Sequence, residues 1–597
     1  MEVIAMNLEQ VLSNGVEALK DDLPAEKSLP LVTLFLGICA IAVQRHQFSI
    51  EDPVLPDNGQ NLFQSVPDVE KWIAAYKELR QPGTIKILLP FIKKIELRRL
   101  HAADLSHAFT KQAAQLKILS ITPAEINRLI ASLLDLQNAS SVYDGTCGFG
   151  GTQVALAERN SNATYYGQDI NPEVAALADM FLTLQNVSHQ TVAGDSIMKP
   201  SFFKGSALRL FDCVVLDPPF GIKTMQDPKV ASYGRFDTLN QKMRQMDFYF
   251  ILNAVERSKG KTLVVTSHAP LVRTIAAERK VRRYLLPRLT AVIRLPAGLY
   301  RKTAIQTHLL LFDRVKKNNQ VLMIDASGFA EGRLREKQLS EDGTESILSV
   351  MKQPKDMDGF SKTVTHDEIM ENEDSWDVEK YIVHSVFQTR RRGTIRWDVD
   401  KLQTTKKVPV KNLCQVIKGF NLTSKHKQTA HGMRILRLND IDQDGRINIG
   451  SVTRFDVTAD LGRHKLKKGD VILVAKGTQQ KITVFNSKKD VYLSINLMAL
   501  RPKDVHPYFL KAYLESPIGE YFLAKNTTGS SLPVLTAKNI GLLPIPEDLV
   551  HQAGEIGEAF RKARKKYLKK LDEVKKQYKK KLDKLDNQMN PGLWREI

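Results

Sequence analysis

Cysteine is scarce in this chain. The four among 597 residues, Cys39, Cys147, Cys213 and Cys414, stand far apart and show no metal-ligand spacing. A disulfide framework and a metal site are therefore not expected, and a reducing cytosol suits the cysteine usage. The opening MEVIAMNLEQ has no basic start leading into an apolar core, so no signal peptide is expected. The apolar run LPLVTLFLGICAIAV at 29–43 falls short of the ~20 residues a bilayer-spanning helix needs, and reads as a buried helix. No internal repeat, nuclease motif or helicase motif is visible. Acidic residues are outnumbered: 66 Asp and Glu against 87 Lys and Arg leave a net charge of +21. That balance points to a polyanionic partner, although an anionic membrane surface would also suit it.

What is present divides by texture. The length suits about three or four domains. Residues 1–115 carry helical spacing, as in VEKWIAAYKELR, and no catalytic constellation. From 116 to 335 strands alternate with helices. ITPAEINRLIASLLDL reads as a helix with Thr122 and Pro123 at its start. SVYD, TYYGQDI, FDCVVLD, KTLVVTS, LTAVIRLP and IQTHLLLFDR read as buried strands, which predicts a doubly wound, mostly parallel sheet. Residues 336–395 turn acidic and irregular and read as a linker with short helices. Residues 396–550, with RINIG, GDVILVAKG, KITVFN and YLSINLMALRP as short strands between turns, read as a separate α+β module. The remainder, 551–597, contains one long helix over 551–590 with a coiled-coil-like apolar stripe from Phe560 to Met589 and lysine on its other faces.

Two stretches carry chemistry. In VYDGTCGFGGTQVALA, Asp144 ends a strand and a Gly-rich turn leads into a helix. The turn departs from the G-x-G-x-x-G dinucleotide fingerprint and lacks the P-loop lysine, so ATP is disfavoured. In FDCVVLDPPFGIK, a buried strand ends in Asp217, followed by Pro218, Pro219 and Phe220. The prolines stiffen an extended turn, so the strand tip offers a carboxylate, a fixed carbonyl and a ring to a planar group bearing an NH2. Between the two stretches, Asp169 and Asp195 fall at further strand ends. Any one of these acids could be a helix cap. Four in order, at the ligand-binding edge of a parallel sheet, are hard to explain that way.

These elements, in this order, resemble the amino-group DNA methyltransferases that use S-adenosylmethionine, most closely the N6-adenine methylases that form the modification subunit of type I restriction–modification systems. The resemblance covers about residues 85–383 and rests on ITP, YDGTCGFGG, GQDINPEVAALADMFLTLQNV, GDS, LDPPFG, AVIRLPAGLY and VTHDEIMENEDSWDVEKYI. It implies that Asp144, Gly148 and Gly150 line the methionine half of the cofactor. Asp169 would take the ribose hydroxyls, Asp195 and Ser196 would lie beside the adenine ring, and Thr122 and Pro123 would contact the methionine end. Asp217, Pro218, Pro219 and Phe220 would form the catalytic tip. Two places differ from the family pattern: Asp stands at 217 where Asn is usual, and TSHAP (266–270) replaces a Pro-Asn-Gly turn. The C-terminal half resembles, more weakly, one half of a type I specificity subunit, through LKKGDVILVAKGT, TTGSSLPVLTAKNIGLLPIPEDLVHQAGEIGEAF and the closing helix.

The resemblance thus implies a multidomain α/β protein: a helical N-terminal domain, a Rossmann-like methyltransferase sheet, an α+β target-recognition domain and a C-terminal coiled-coil-like helix. Its partners would be double-stranded DNA, a second copy of the chain paired through that helix, and a separate restriction subunit, in a bacterial or archaeal cytosol with no membrane. Two rival readings stay open. The same chemistry could serve cytosine N4, an RNA base or a protein glutamine, or the chain could be a DNA-recognition scaffold with a vestigial pocket.

Overall fold

The run VVL at 214–216 is apolar without alternation because its strand is covered by helices on both faces. In the computed structural model, residues 2–45, 66, 68–92, 95–116, 121–134, 136–239, 241–300, 305–332, 337–477, 480–527 and 534–589 are described. The chain divides into two compact units, 1–383 and 384–597. The first is built on a nine-stranded sheet. Its strands are β1 (Ser141–Asp144), β2 (Thr164–Asp169), β3 (His189–Ala193), β4 (Phe211–Leu216), β5 (Ser258–Ser267), β6 (Leu289–Arg294), β7 (Thr307–Asp313), β8 (Gln320–Asp325) and β9 (Ser361–Thr365). Their order across the sheet is β9-β8-β6-β7-β5-β4-β1-β2-β3. β7 runs antiparallel to both its neighbours and β9 antiparallel to β8, while the remaining pairs are parallel.

The helical segment that precedes the sheet comprises α1 (Glu2–Ala18), α2 (Ala25–Gln44), α3 (Val69–Ala75), α4 (Pro82–Ile92) and α5 (Ala102–Gln115). α2 is long and apolar enough to cross a bilayer, yet every residue from Ser28 to Val43 is buried in protein. α6 (Ala124–Leu133), α7 (Gly151–Arg159) and α8 (Pro172–Leu184) follow. The N-terminal helices do not stand apart from the sheet. Their core runs on into Val154 of α7 and Leu177, Met180 and Phe181 of α8. A Cβ at Gly37 of α2 would collide with Met180 Sδ, so glycine here sets how closely α2 and α8 approach. The buried Asp179 of α8 accepts from Trp72 Nε1 at 2.8 Å and from Lys71 Nζ at 3.0 Å, which ties α3 to the same helix.

Strand residues alternate between two layers, as the pleat requires. Val142, Cys213, Val215, Leu263 and Val265 share a core with α6 and α7. Tyr143, Val214, Leu216 and Val264 share the other with α9 (Asp247–Glu256) and α10 (Ala276–Leu285). Much of the stretch expected as a linker packs into this unit. α11 (Glu341–Lys352) adds Ile347 and Val350 to the first core, β9 closes the sheet edge, and Trp376, Val378 and Tyr381 join the second core. Its acidic residues mislead by composition because several serve locally. Glu368 completes a capping box with Thr365, Asp377 caps the next short helix, and Asp374 pairs with Arg279 and Arg283.

The second unit holds a four-stranded antiparallel sheet in the order Cys414–Lys418, Leu497–Pro502, Val471–Val474, Ile482–Val484. A three-stranded sheet adds Arg454–Phe455, Gln428–Leu436 and Tyr492–Leu493. RINIG, expected as a strand, makes a single bridge, Ile441 to Ile447. Turns flank that bridge: Gly445 has φ +70°, and Asn448 accepts from the N–H of Gly450. A helix α12 (Pro507–Leu514) packs against the start of α13 (Ala553–Met589). Further along, Arg446 binds Asp572 at 2.7 Å and Lys575 binds Asp444 at 2.9 Å. Tyr567, Val574, Tyr578, Leu582, Leu585 and Met589 of α13 are exposed. Residues 590–597 of the expected C-terminal segment lie outside the described residues.

Gly150 caps α7 with φ +82°, and a Cβ there would fall 2.9 Å from Ala178 Cα of α8. The left-handed backbone alone costs a substituted residue about 1–2 kcal/mol. Gly150→Ala is expected to lower thermal stability by at least that much, measured by calorimetry. An unchanged melting temperature would contradict this packing.

Candidate active site

Four strands lying side by side, β4, β1, β2 and β3, end at one sheet edge, and each end carries a carboxylate. Asp217 follows β4, Asp144 closes β1, Asp169 closes β2, and Asp195 lies two residues beyond β3. Asp217 is half-buried. Its Oδ2 accepts from the Thr122 hydroxyl at 2.5 Å and the Tyr300 hydroxyl at 2.7 Å. Burial pushes the carboxyl up to about 6, against the pull of those two hydrogen bonds. Pro218 is buried and Pro219 exposed. The Phe220 ring meets the Tyr300 ring edge-on, with centroids 5.6 Å apart. Directly after it, the Gly221 N–H donates to Asp247 at the head of α9.

Asp144 is buried and accepts from the Thr146 N–H at 3.0 Å. Burial, with Asp217 and Asp169 nearby, pushes its carboxyl up to about 8. Asp169 accepts from the N–H groups of Gly148 at 3.0 Å and Asn171 at 2.9 Å, and burial raises it too. No basic side chain is among the groups that shift Asp144, Asp169 or Asp217. Such a cluster is short of positive charge, and a cationic ligand would relieve it. Gly148 sits at φ +53°, and a Cβ there would meet only the Thr146 carbonyl at 3.9 Å. Thr146 Oγ1 is buried without a hydrogen-bond partner. The turn is therefore an open polar cradle beside Asp144 and Asp169.

The other expected residues divide. Asp195 Oδ1 accepts from the N–H groups of Ile197 at 2.8 Å and Met198 at 3.0 Å, so it also organises its own turn. Ser196 is buried, and its carbonyl accepts from Arg235 Nη1 at 2.9 Å. Gly150 turns its Cα to α8, so packing accounts for it directly. Pro123, whose ring has no polar atom to offer, stands at the N-cap of α6, and the hydroxyl of Thr122 before it goes to Asp217. TSHAP ends β5, where His268 lies against the buried His308 of β7, rings 5.3 Å apart. Burial keeps His308 neutral.

Sequence reasoning assigned no role to Tyr300, Arg235 or Asp247. Tyr300 stands in AVIRLPAGLY, where an aromatic shortly after a strand end was its only signal. Arg235 is buried and donates to four backbone carbonyls, Ser196, Ile197, Ala231 and Ser232, and to the Asn253 side chain. It thereby fastens the loop after β4 to the Asp195 turn. Asp247 joins Gly221 to Arg273, which lies 3.4 Å from the carboxylate. Neither residue lies in a recognisable motif.

Asp144 yields a stability test. In the unfolded chain it ionises near 3.8, and in the fold it keeps its proton up to about 8. Between those values the folded form binds more protons, so rising pH costs about 1.4 kcal/mol per unit. Asn is neutral throughout and removes that slope. Asp144→Asn is expected to melt above the parent at pH 8, with the gap closing toward pH 4. A gap that does not change with pH would contradict a protonated Asp144.

Residues 105–389 match the family model for N-6 DNA Methylase. The chain is 28% identical over 285 residues to the type I restriction enzyme MpnII methylase subunit of Mycoplasma pneumoniae, covering 44% of this chain and 52% of that protein. It is 26% identical over 286 residues to the MjaVII methylase subunit of Methanocaldococcus jannaschii, covering 44% and 48%. The chain thus spans about half the length of these relatives. The crystal structure of a type I restriction-modification methyltransferase subunit from Streptococcus thermophilus superposes with a TM-score of 0.54 at 18% identity, covering 64% of this chain and all of that one. The fold is methyltransferase-like: a mostly parallel central sheet behind a helical N-terminus. S-adenosylmethionine is the cofactor that goes with this match, and the cation-seeking cradle fits it. Residues 105–389 are thus similar to the N-6 DNA Methylase family and to the methylase subunits of type I restriction enzymes.

Proposed function

We propose that the chain is a site-specific DNA methyltransferase, moving a methyl group from S-adenosylmethionine to the N6 amino group of an adenine turned out of the duplex. The observation that carries this reading is the tip of β4. Both hydroxyl donors, Thr122 and Tyr300, fall on Oδ2 of Asp217, which leaves Oδ1 as a second acceptor. An aromatic amine is a poor nucleophile because its lone pair is delocalised into the ring. Asp217 Oδ1 and the Pro218 carbonyl accept its two N–H bonds, draw the nitrogen toward tetrahedral geometry and free the lone pair. Phe220 stacks on the turned-out base, an interaction that contributes about 1–3 kcal/mol.

When bound, S-adenosylmethionine supplies an activated methyl on a sulfonium, a good leaving group. On the protein side, Asp169 holds the ribose hydroxyls and Asp195 with Ser196 borders the adenine ring. Gly148 and Asp144 line the methionine half, and Thr122 and Pro123 border its end. The work is positioning and electrostatics.

The same proposal takes 384–597 as half of a specificity unit: an α+β target-recognition domain followed by one long helix. A fused modification–specificity chain with one such half would pair with a second copy through α13 and read a two-part site. The exposed stripe from Tyr567 to Met589 supports that pairing. A cytosolic setting and a separate restriction subunit complete the reading.

Four outcomes test it. Transfer of labelled methyl to DNA rather than RNA is expected, and Asp217→Ala is expected to lose about a hundredfold or more in rate while still binding DNA. Because the accepting form is the carboxylate, and its pKa is about 6, the parent's kcat/KM is expected to fall as pH drops through about 6. Near-normal turnover by Asp217→Ala would overturn the assignment. For the helix, Leu582→Glu with Leu585→Glu is expected to convert a dimer to a monomer in light scattering, and an unchanged mass would count against pairing there.

A further inference from the structure

The chain between Phe220 and α9 forms an arm whose outer side chains are the wrong kind for a solvated loop. Ile222 is 44%, Met225 85%, Val230 83% and Tyr233 58% exposed. Single exposed apolar residues are ordinary, but four within 12 positions next to a candidate active site call for a partner. The arm is also braced. Met246 N–H bonds the Ile222 carbonyl at 2.9 Å and Thr224 N–H bonds the Arg244 carbonyl at 3.0 Å, forming a short ladder. Lys242 Nζ reaches the Met225 carbonyl at 2.7 Å. Arg235, buried at the base, spends its donors on surrounding carbonyls and Asn253. Met225 lies one residue past the last rung, within about 17 Å of chain from Phe220.

The charge around these side chains selects the partner. Lys223, Lys242 and Arg244 are exposed on the same arm. A stiff support, protruding apolar tips and flanking cations are what wedging into stacked bases requires: the apolar group enters the step and the cations hold the phosphates. We propose that the arm 221–246 is a DNA wedge. Met225 enters the base stack beside the target and, with Val230, offsets the stacking lost when the adenine leaves the duplex. The proposal rests on the methyltransferase reading and assigns the step that precedes chemistry.

The test uses the full chain and a duplex bearing its site, mapped by sequencing DNA from cells that carry the protein. The target adenine is paired with thymine in one substrate and placed opposite an abasic position in the other. Single-turnover methyl transfer is measured for the parent, for Met225→Ala and for Val315→Ala. Val315 is 67% exposed just beyond β7, at the opposite edge of the sheet. Met225→Ala is expected to slow transfer on the paired substrate by about tenfold and to match the parent on the abasic one, where little unpairing is left to do. Val315→Ala is expected to match the parent on both. Equal loss on both substrates, or no loss on either, overturns the wedge, and the second result would leave the arm to a protein partner. A parent that labels no DNA overturns the methyltransferase reading itself.

Discussion

Carboxyl groups withdrawn from water must be held together at one sheet edge, and most of the first unit can be understood as the means of doing so. Asp217, Asp144 and Asp169 end the neighbouring strands β4, β1 and β2. Parallel pairing fixes those ends side by side. Backbone N–H groups from Thr146, Gly148 and Asn171, with two hydroxyls, are the polar partners. They do not offset the burial, so the carboxyls of Asp144 and Asp217 stay raised. The stability given up here is what makes the edge attract a cation, a pattern expected where binding and not stability sets the residue.

The donors on Asp217 come from distant parts of the chain. Thr122 lies 95 positions before it, between the N-terminal helices and α6, and Tyr300 lies 83 positions after it, beyond β6. The helical segment therefore bears on the site through the continuous core it shares with α7 and α8. Trp72 and Lys71 on Asp179 fasten the two parts of that core together. A change at Gly37 or Trp72 would act on the chemistry only by shifting this scaffold.

The strands were legible in sequence because buried parallel strands leave runs such as VVL and LVV that no surface element can carry. The four strand-end acids were legible because acids break those runs at one register. Tyr300 and Arg235 were not, since each gains its role from a fold-level approach that no local spacing encodes. The segment after 335 was misread for a related reason. Acidic residues signal a solvated linker only when they are free, and Glu368, Asp374 and Asp377 are spent on caps and ion pairs. RINIG shows the opposite error: an alternating pattern, but interrupted by the turns at Gly445 and Asn448.

The acid at 217 can be understood from its two hydroxyl partners. An ionised carboxylate has only acceptors, so Oδ2 can take both O–H donors while Oδ1 keeps its full accepting power. An amide in the same place has one oxygen and one NH2. With the oxygen toward Thr122 and Tyr300, it would present donors to an incoming amine, which also has only N–H to offer on that side. With the NH2 toward the hydroxyls, both would have to turn and accept. The acid and its hydroxyl pair therefore form one unit. Partial withdrawal from water brings the carboxyl up to about 6, low enough for it to remain ionised at neutral pH.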